Sequence, residues 1–353
     1  MKKKLLIAGG VLIVVGAAVM VFGWFWISRP MYEPGTVRSA SLEVPAQPGE
    51  ESYWTVQKDI RLFHFSEGSG QNVLVVHGGP GYPIRDAWLG FKPLTSAYKF
   101  SYYDQRGCGK STRPIDRFTS SNYYGNVKTL ERTLGLGAQI ADIERIRRIL
   151  GDEKLILVGH SFGGFLASLY AAEFPERVKG LILVAPAVVL AMPSSDGGLF
   201  EEIRPLLPAT MQQDYAAYLK RYFDYGGIFS RSEAELQSLN AEIGKYYAAA
   251  MQAKGLAVPP EGQIHENGGW MVQAMYFSMG RRHDFRGALK NAGAPVLVIH
   301  GAKDLQTERE SRAYTESFPN SRFAVIGNAG HFPFTEQPEE FATLAGRFLN
   351  ELK

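Results

Sequence analysis

Ser161 lies in Gly159-His160-Ser161-Phe162-Gly163, after the apolar run 154–161 and ahead of a helix-like segment. A serine where a buried strand turns sharply into a helix presents its hydroxyl at a strained corner, and small neighbours let the chain make that corner. Near neutrality such a hydroxyl is a weak nucleophile. It needs an imidazole to take its proton and a carboxylate to orient the imidazole. For a serine on this kind of turn the partners follow in the order acid, then histidine. Of the seven histidines, His64, His77, His160 and His300 lie in or beside apolar runs, and His265 and His283 fall in a helical stretch. His331, in GNAGHFPF just after the final run, is the expected base. Asp304, on the loop that follows VLVIHG and 27 residues ahead of His331, is the expected acid, because Glu308 and Glu310 fall in a helix-like segment.

Attack on a carbonyl develops an oxyanion, which needs donors already in place. The amide of Phe162, at the start of the helix, is one. The glycine-rich turn His77-Gly78-Gly79-Pro80-Gly81 supplies the second, the amide of Gly79. No metal or organic cofactor is implied, since this chemistry needs neither and no cluster of metal-ligating residues appears.

Parallel strands must hold these groups at one edge. YWTVQKDIRLFHFSEG reads as two short strands, and NVLVVHGG, KFSYYDQRG, KLILVGHS, VKGLILVAPA, PVLVIHG and RFAVIGN read as buried ones. Amphipathic segments such as AQIADIERIRRILG and PEEFATLAGRFLNELK alternate with them. Near-continuous Val/Ile/Leu strands separated by helices imply an α/β fold with a mostly parallel sheet covered on both faces. The alternation breaks between Val188 and about Arg286, where helix-like, aromatic- and Met-rich sequence reads as a cap over the edge at which ligands bind. The expected organisation is a core over 53–187 and 287–353, with a helical cap at 188–286 inserted in it. Residues 30–52, rich in Pro, Ser, Gly and Glu, read as a linker.

The amino end is a separate object. Lys2, Lys3 and Lys4 precede 23 uncharged residues, Leu5 to Ile27, and then come Arg29 and Pro30. A helix of that length rises about 34 Å, enough for a hydrocarbon core of about 30 Å. Trp24, Phe25 and Trp26 fall where an interfacial aromatic belt lies, and the three lysines favour a cytoplasmic N-terminus. Residues 1–29 are therefore expected to be a transmembrane anchor with the catalytic part outside the cytoplasm. The alternative is secretion after cleavage of a signal peptide with its h-region at Leu5 to Val15 and small residues at Gly16, Ala17 and Ala18.

With 45% hydrophobic and 21% charged residues, the composition is globular, and a net charge of +3 without a Lys/Arg stripe gives no nucleic-acid footprint. A single cysteine, Cys108, excludes an internal disulfide. The sequence leaves the oligomeric state open.

From about Tyr53 to the C-terminus these residues resemble the α/β-hydrolase fold. More narrowly, HGGPG (77–81) with YYDQRGCGKS (102–111) is similar to the prolyl aminopeptidase (proline iminopeptidase) family, whose members carry both motifs in that order ahead of the nucleophile. The resemblance implies a serine hydrolase that removes an N-terminal residue from short peptides, with Ser161, Asp304 and His331 as its triad and Gly79 and Phe162 as its oxyanion amides. Asp104, Arg106 and Ser111 match the DQRG motif and are expected to make hydrogen bonds that build its loop. The chain departs from the family in two places. Members read Gly-Gly-Ser-Trp-Gly at the elbow, whereas His160 and Phe162 give a form shared with esterases. Members also hold the substrate's α-ammonium with cap glutamates, one of them in an E-N-H-Y-F-like segment; in QAMYF that place falls on Gln273. Glu202 and Glu266 join Gln273 as candidate amine contacts, with Glu201, Glu242 and Glu261 as further cap carboxylates. A carboxylesterase or amidase using the same triad on small acyl substrates is the alternative.

Overall fold

The computed structural model of the protein describes residues 29–40, 42–194, 197–256 and 266–353. Its strands are β1 (Tyr53–Gln57), β2 (Ile60–Gly68), β3 (Gln71–Val76), β4 (Tyr98–Tyr103) and β5 (Leu155–His160). They continue with β6 (Val178–Val184), β7 (Ala191–Met192), β8 (His283–Asp284), β9 (Val296–Gly301) and β10 (Ser321–Ile326). Eight of them form one sheet in the order β1-β2-β4-β3-β5-β6-β9-β10. The pairings of β1 with β2 and β2 with β4 are antiparallel, and every pairing from β4 to β10 is parallel.

The parallel strands are Val/Ile/Leu runs because both of their faces are covered. β5 and β9 are buried along their whole length. On one face lie the Leu136–Leu150 and Phe162–Glu173 helices. On the other, the Pro338–Glu351 helix packs with the short Leu89–Leu94 turn. The Phe162–Glu173 helix is buried at all but one of its positions, so it sits at the centre of its layer and brings Ser161 to the middle of the sheet's edge.

Between β6 and β9 the chain leaves the sheet for a mainly helical insertion. Its described helices include Ala209–Tyr222, Glu233–Ala241, Ile243–Ala253 and Trp270–Met279. The sequence shows no strand in this stretch, but the structure has two. β7 and β8 pair antiparallel through Ala191 with Asp284 and Met192 with His283, tying the insertion's entry to its exit. Two residues are too few to leave an alternating pattern, so the ribbon is defined only by tertiary contact.

The linker expected at 30–52 is not a free tether. Tyr32, Val37 and Leu42 are buried in the same core as the Leu136–Leu150 helix. The Tyr32 hydroxyl donates to Glu173 at 2.7 Å, and Arg148 donates to the Leu42 carbonyl at 3.1 Å. This cover explains why the Leu136–Leu150 helix, which reads as amphipathic, buries Asp142, Glu144, Arg145 and Arg147. Their charges are paired: Asp142 with Arg106 and Arg145, and Glu144 with Arg147. Low hydrophobic content in 30–52 hid three apolar contacts spaced widely along an extended chain. The expected membrane span, Leu5 to Ile27, lies outside the described residues, and among the described residues no helix is long and apolar enough to cross a membrane.

Candidate active site

At the end of β5 the chain reverses through Ser161, whose φ of 53° and ψ of −122° lie in a region that non-glycine residues rarely adopt. Such a conformation costs about 1–3 kcal/mol and persists only where its surroundings over-determine it. Here they do. The Ser161 amide donates to the Val184 carbonyl at 2.9 Å, while the Ser161 carbonyl accepts from Gly164 at 2.9 Å and from Ala187 at 3.0 Å. The flanking glycines are demanded by the crossing: a Cβ on Gly159 would strike the Gly163 backbone, and one on Gly163 would strike the Val76 carbonyl. Strand end and helix start are too close for side chains.

His331 leaves the loop after β10 and meets Asp304, on the loop after β9. Its Nδ1 lies 2.8 Å from Asp304 Oδ2, and both residues are buried. Burial alone would push the Asp304 carboxyl up, but the charge and hydrogen bond of His331 and the amide of Gln306 outweigh it and hold the carboxyl below its ordinary range. An ionised Asp304 fixes the tautomer with hydrogen on Nδ1 and leaves Nε2 to accept a proton. The His331 carbonyl accepts from His160 Nε2 at 2.9 Å, which ties the base loop to the elbow. No hydrogen bond joins Ser161 Oγ to His331 among the described residues. Such contacts are often long before substrate binds and tighten in the reactive complex.

Gln306 escaped the sequence reading. Its amide nitrogen lies 3.2 Å and 3.4 Å from the two ring nitrogens of His331, and its Oε1 accepts from the Val188 amide at 3.1 Å. It thus joins the base to the point where the insertion begins. A glutamine two residues beyond an acid carries no signal of that kind.

The glycine-rich turn passes close to the elbow: a Cβ on Gly78 would strike the His160 carbonyl and the Ser161 Cβ and would crowd the Phe162 amide. Phe162 opens its helix, so its N–H has no intrahelical acceptor. Neither the Phe162 nor the Gly79 amide donates to a hydrogen bond among the described residues. Gly79 has φ of 115°, which a side chain would not tolerate. His77 braces this turn: its Nδ1 donates to the Gly78 carbonyl at 3.0 Å, and its Nε2 accepts from the Gln105 amide at 3.1 Å. Burial drops the His77 imidazole to about 4, so it stays neutral and keeps both bonds. The DQRG residues also build loop. Ser111 Oγ donates to the Asp104 carbonyl at 2.6 Å, Arg106 pairs with buried Asp142, and Arg85 grips Asp104 through two bonds.

The three candidate amine contacts occupy three different settings. Glu266 is paired with Arg85, which makes it the outer member of an Asp104–Arg85–Glu266 chain. Gln273 is fully buried; its nitrogen lies 3.5 Å from Asn240 Oδ1, and its Oε1 has no partner among the described residues. Glu202 lines a small crevice with Val188, Gln306 and Glu310. A further cap carboxylate, Glu233, caps the Trp270–Met279 helix through the amides of Gly269 and Trp270 and pairs with Arg113.

A covered parallel sheet with a strained serine at its carboxyl edge, beside a carboxylate–imidazole pair, defines the class: a hydrolase of α/β architecture. The chain belongs to the alpha/beta hydrolase fold family, whose pattern matches residues 71–338. It is 28% identical over 296 residues to a proline iminopeptidase of Heyndrickxia coagulans, covering 81% of this chain and 92% of that one. Among solved structures, the proline iminopeptidase of Mycobacterium smegmatis superposes with a TM-score of 0.53 at 20% identity, over 84% of this chain and 96% of the other. A thermophilic esterase from Thermogutta terrifontis superposes at 0.52 and 24% identity, over 89% and 98%. The two structural likenesses show the fold alone.

Proposed function

We propose that this hydrolase is an aminopeptidase of the proline iminopeptidase kind, releasing N-terminal residues from short peptides through an acyl-enzyme on Ser161. His331 takes the Ser161 proton as the oxygen attacks the carbonyl, and the Gly79 and Phe162 amides receive the oxyanion. The imidazolium, steadied by Asp304, then protonates the leaving amine. Water attacks the acyl-enzyme by the same proton route in reverse and regenerates the serine. The observation that carries the chemistry is the buried Asp304–His331 bond beside the strained Ser161. The likeness in sequence to proline iminopeptidases supports the peptide substrate.

The second reading is a carboxylesterase or amidase with the same triad. It is favoured by the state of the candidate amine contacts: Glu266 is already paired with Arg85, and Gln273 carries no charge. Turnover of proline- and alanine-linked chromogenic amides against short-chain esters separates the two. Preference for the amides, abolished with ester turnover in Ser161→Ala, supports the aminopeptidase; ester turnover alone overturns it. The same proposal keeps residues 1–29 as a membrane anchor with the catalytic part outside the cytoplasm. Its support is the 23-residue uncharged run between three lysines and Arg29.

A further inference from the structure

The described chain begins at a particular place on the surface. The Arg29 carbonyl lies against Gly280, and the Met31 and Tyr32 amides both donate to the Ser278 carbonyl, at 2.9 and 3.2 Å. The described chain therefore starts beside the C-terminal end of the Trp270–Met279 helix.

Around that exit the surface changes character. Four of the six large apolar side chains exposed among the described residues, Met31, Tyr123, Tyr124 and Phe223, gather there. Tyr123 and Tyr225 pack near Phe277, and Phe223 packs near Tyr276, on the helix that the amino-terminal segment abuts. Cations surround these rings. Lys128 lies over the Tyr124 ring at 4.6 Å and Arg281 over Tyr225 at 5.7 Å. On the Tyr123–Leu134 helix the exposed residues Tyr124, Lys128 and Arg132 recur every fourth position and form one stripe. Arg29 and Arg282 line an open cavity of about 390 Å³ at the exit. None of Arg29, Lys128, Arg132, Arg281 and Arg282 has an ion-pair partner among the described residues, although other exposed arginines such as Arg221, Arg286 and Arg322 do. Two carboxylates, Glu33 and Asp284, share the cavity, and Asp284 is committed to Arg286.

Exposed aromatic rings interleaved with unpaired Lys and Arg are the composition of a membrane-interface surface, where rings sit at the headgroup level and cations meet anionic lipid. We infer that this face lies on the anionic headgroup layer of the bilayer that holds the anchor, so that the cap is the membrane-proximal part of the enzyme. The inference rests on the anchor reading above. A body tethered at Arg29, with Tyr32, Val37 and Leu42 packed down just behind it, is held with this face toward the lipid.

The test uses the full chain in phosphatidylglycerol or phosphatidylcholine vesicles, with an environment-sensitive dye on Tyr124→Cys or on Leu89→Cys. Leu89 is exposed on the opposite side of the sheet, and the native Cys108 is fully buried and stays unlabelled. The expected result is flotation of the chain with both vesicles. Nitroxide-bearing lipid then quenches the dye at 124 several-fold more than the dye at 89, and more strongly in phosphatidylglycerol. Reversing Lys128, Arg132, Arg281 and Arg282 to Glu abolishes that difference while flotation and turnover of a soluble substrate persist. Flotation with equal quenching at the two positions overturns the docking face alone. Equal quenching at 124 in the two lipids overturns its anionic preference. Failure of the full chain to float overturns both the face and the anchor.

Discussion

Around Ser161 the loops of the sheet edge are tied down by hydrogen bonds, although Gln105 Oε1 is buried without a partner among the described residues. The serine carbonyl accepts from three amides, His331 is held by Asp304 with Gln306 beside it, and His77 and His160 each have bonds to backbone. The cap is built differently. Gln273 Oε1, Tyr218 Oη and Tyr246 Oη are buried there with no partner among the described residues, on three different helices. A buried polar atom left unpaired costs about 1–3 kcal/mol. The edge is thus held in one arrangement, in which the Gly79 and Phe162 amides donate to no acceptor among the described residues. The contrast to be tested is that the edge sets the rate and the cap, with its unpaired polar atoms, the choice of substrate.

The hardest blow to that division is Ser161→Ala, which is expected to lower kcat by ~10⁴-fold or more on every substrate, amide or ester. Steady-state kinetics on both classes checks it, and near-normal turnover would remove the edge from its role. Next comes Asp304→Asn, expected to lower kcat by about 10³- to 10⁴-fold with KM little changed, because the imidazole loses its tautomer.

Acid should then separate the two regions by stability. Burial drops His77 to about 4 and His160 to about 3, the second helped by the neighbouring His331. An unfolded imidazole takes its proton near 6.5, so between that value and the folded ones unfolding takes up protons and the fold weakens as pH falls. Above pH 7 both states are neutral and the slope vanishes. Each histidine contributes about 1.4 kcal/mol per pH unit inside the window. Denaturant midpoints at pH 7, 6 and 5 should fall in that order, and hydrogen exchange should show the edge loosening before the tyrosine-rich cap. A flat profile would break the contrast.

The smallest effect tests the cap. Gln273→Met removes an unpaired oxygen and is expected to stabilise the protein by about 1 kcal/mol. It should also change KM for amine-bearing substrates while leaving kcat on a small ester unchanged. A matching fall in kcat would place Gln273 with the edge instead.

This division also governs what could be read from the chain. The parallel strands were legible because burial on both faces forces continuous Val/Ile/Leu runs, as in β5 and β9. Ser161, Asp304 and His331 were legible as candidates because each follows such a run, and the structure brings Asp304 and His331 into contact. Gln306, Arg85 and His77 were not, because their roles depend on which loops meet across the edge and not on local pattern. The cover supplied by Tyr32, Val37 and Leu42 was hidden for the same reason, as was the β7–β8 ribbon. In the cap, Glu266 looked free until its neighbour in space, Arg85, was known.

That ribbon has a bearing on how such enzymes diversify. Because Ala191 and Met192 pair with Asp284 and His283, and the Phe285 amide donates to the Leu190 carbonyl at 3.0 Å, the insertion enters and leaves the sheet at one doorway. Whatever is threaded through it need only begin and end side by side on a two-residue ladder. The roof is in that sense a cassette: a relative's could be spliced in at the doorway, altering which molecules are admitted without disturbing the catalytic edge beneath.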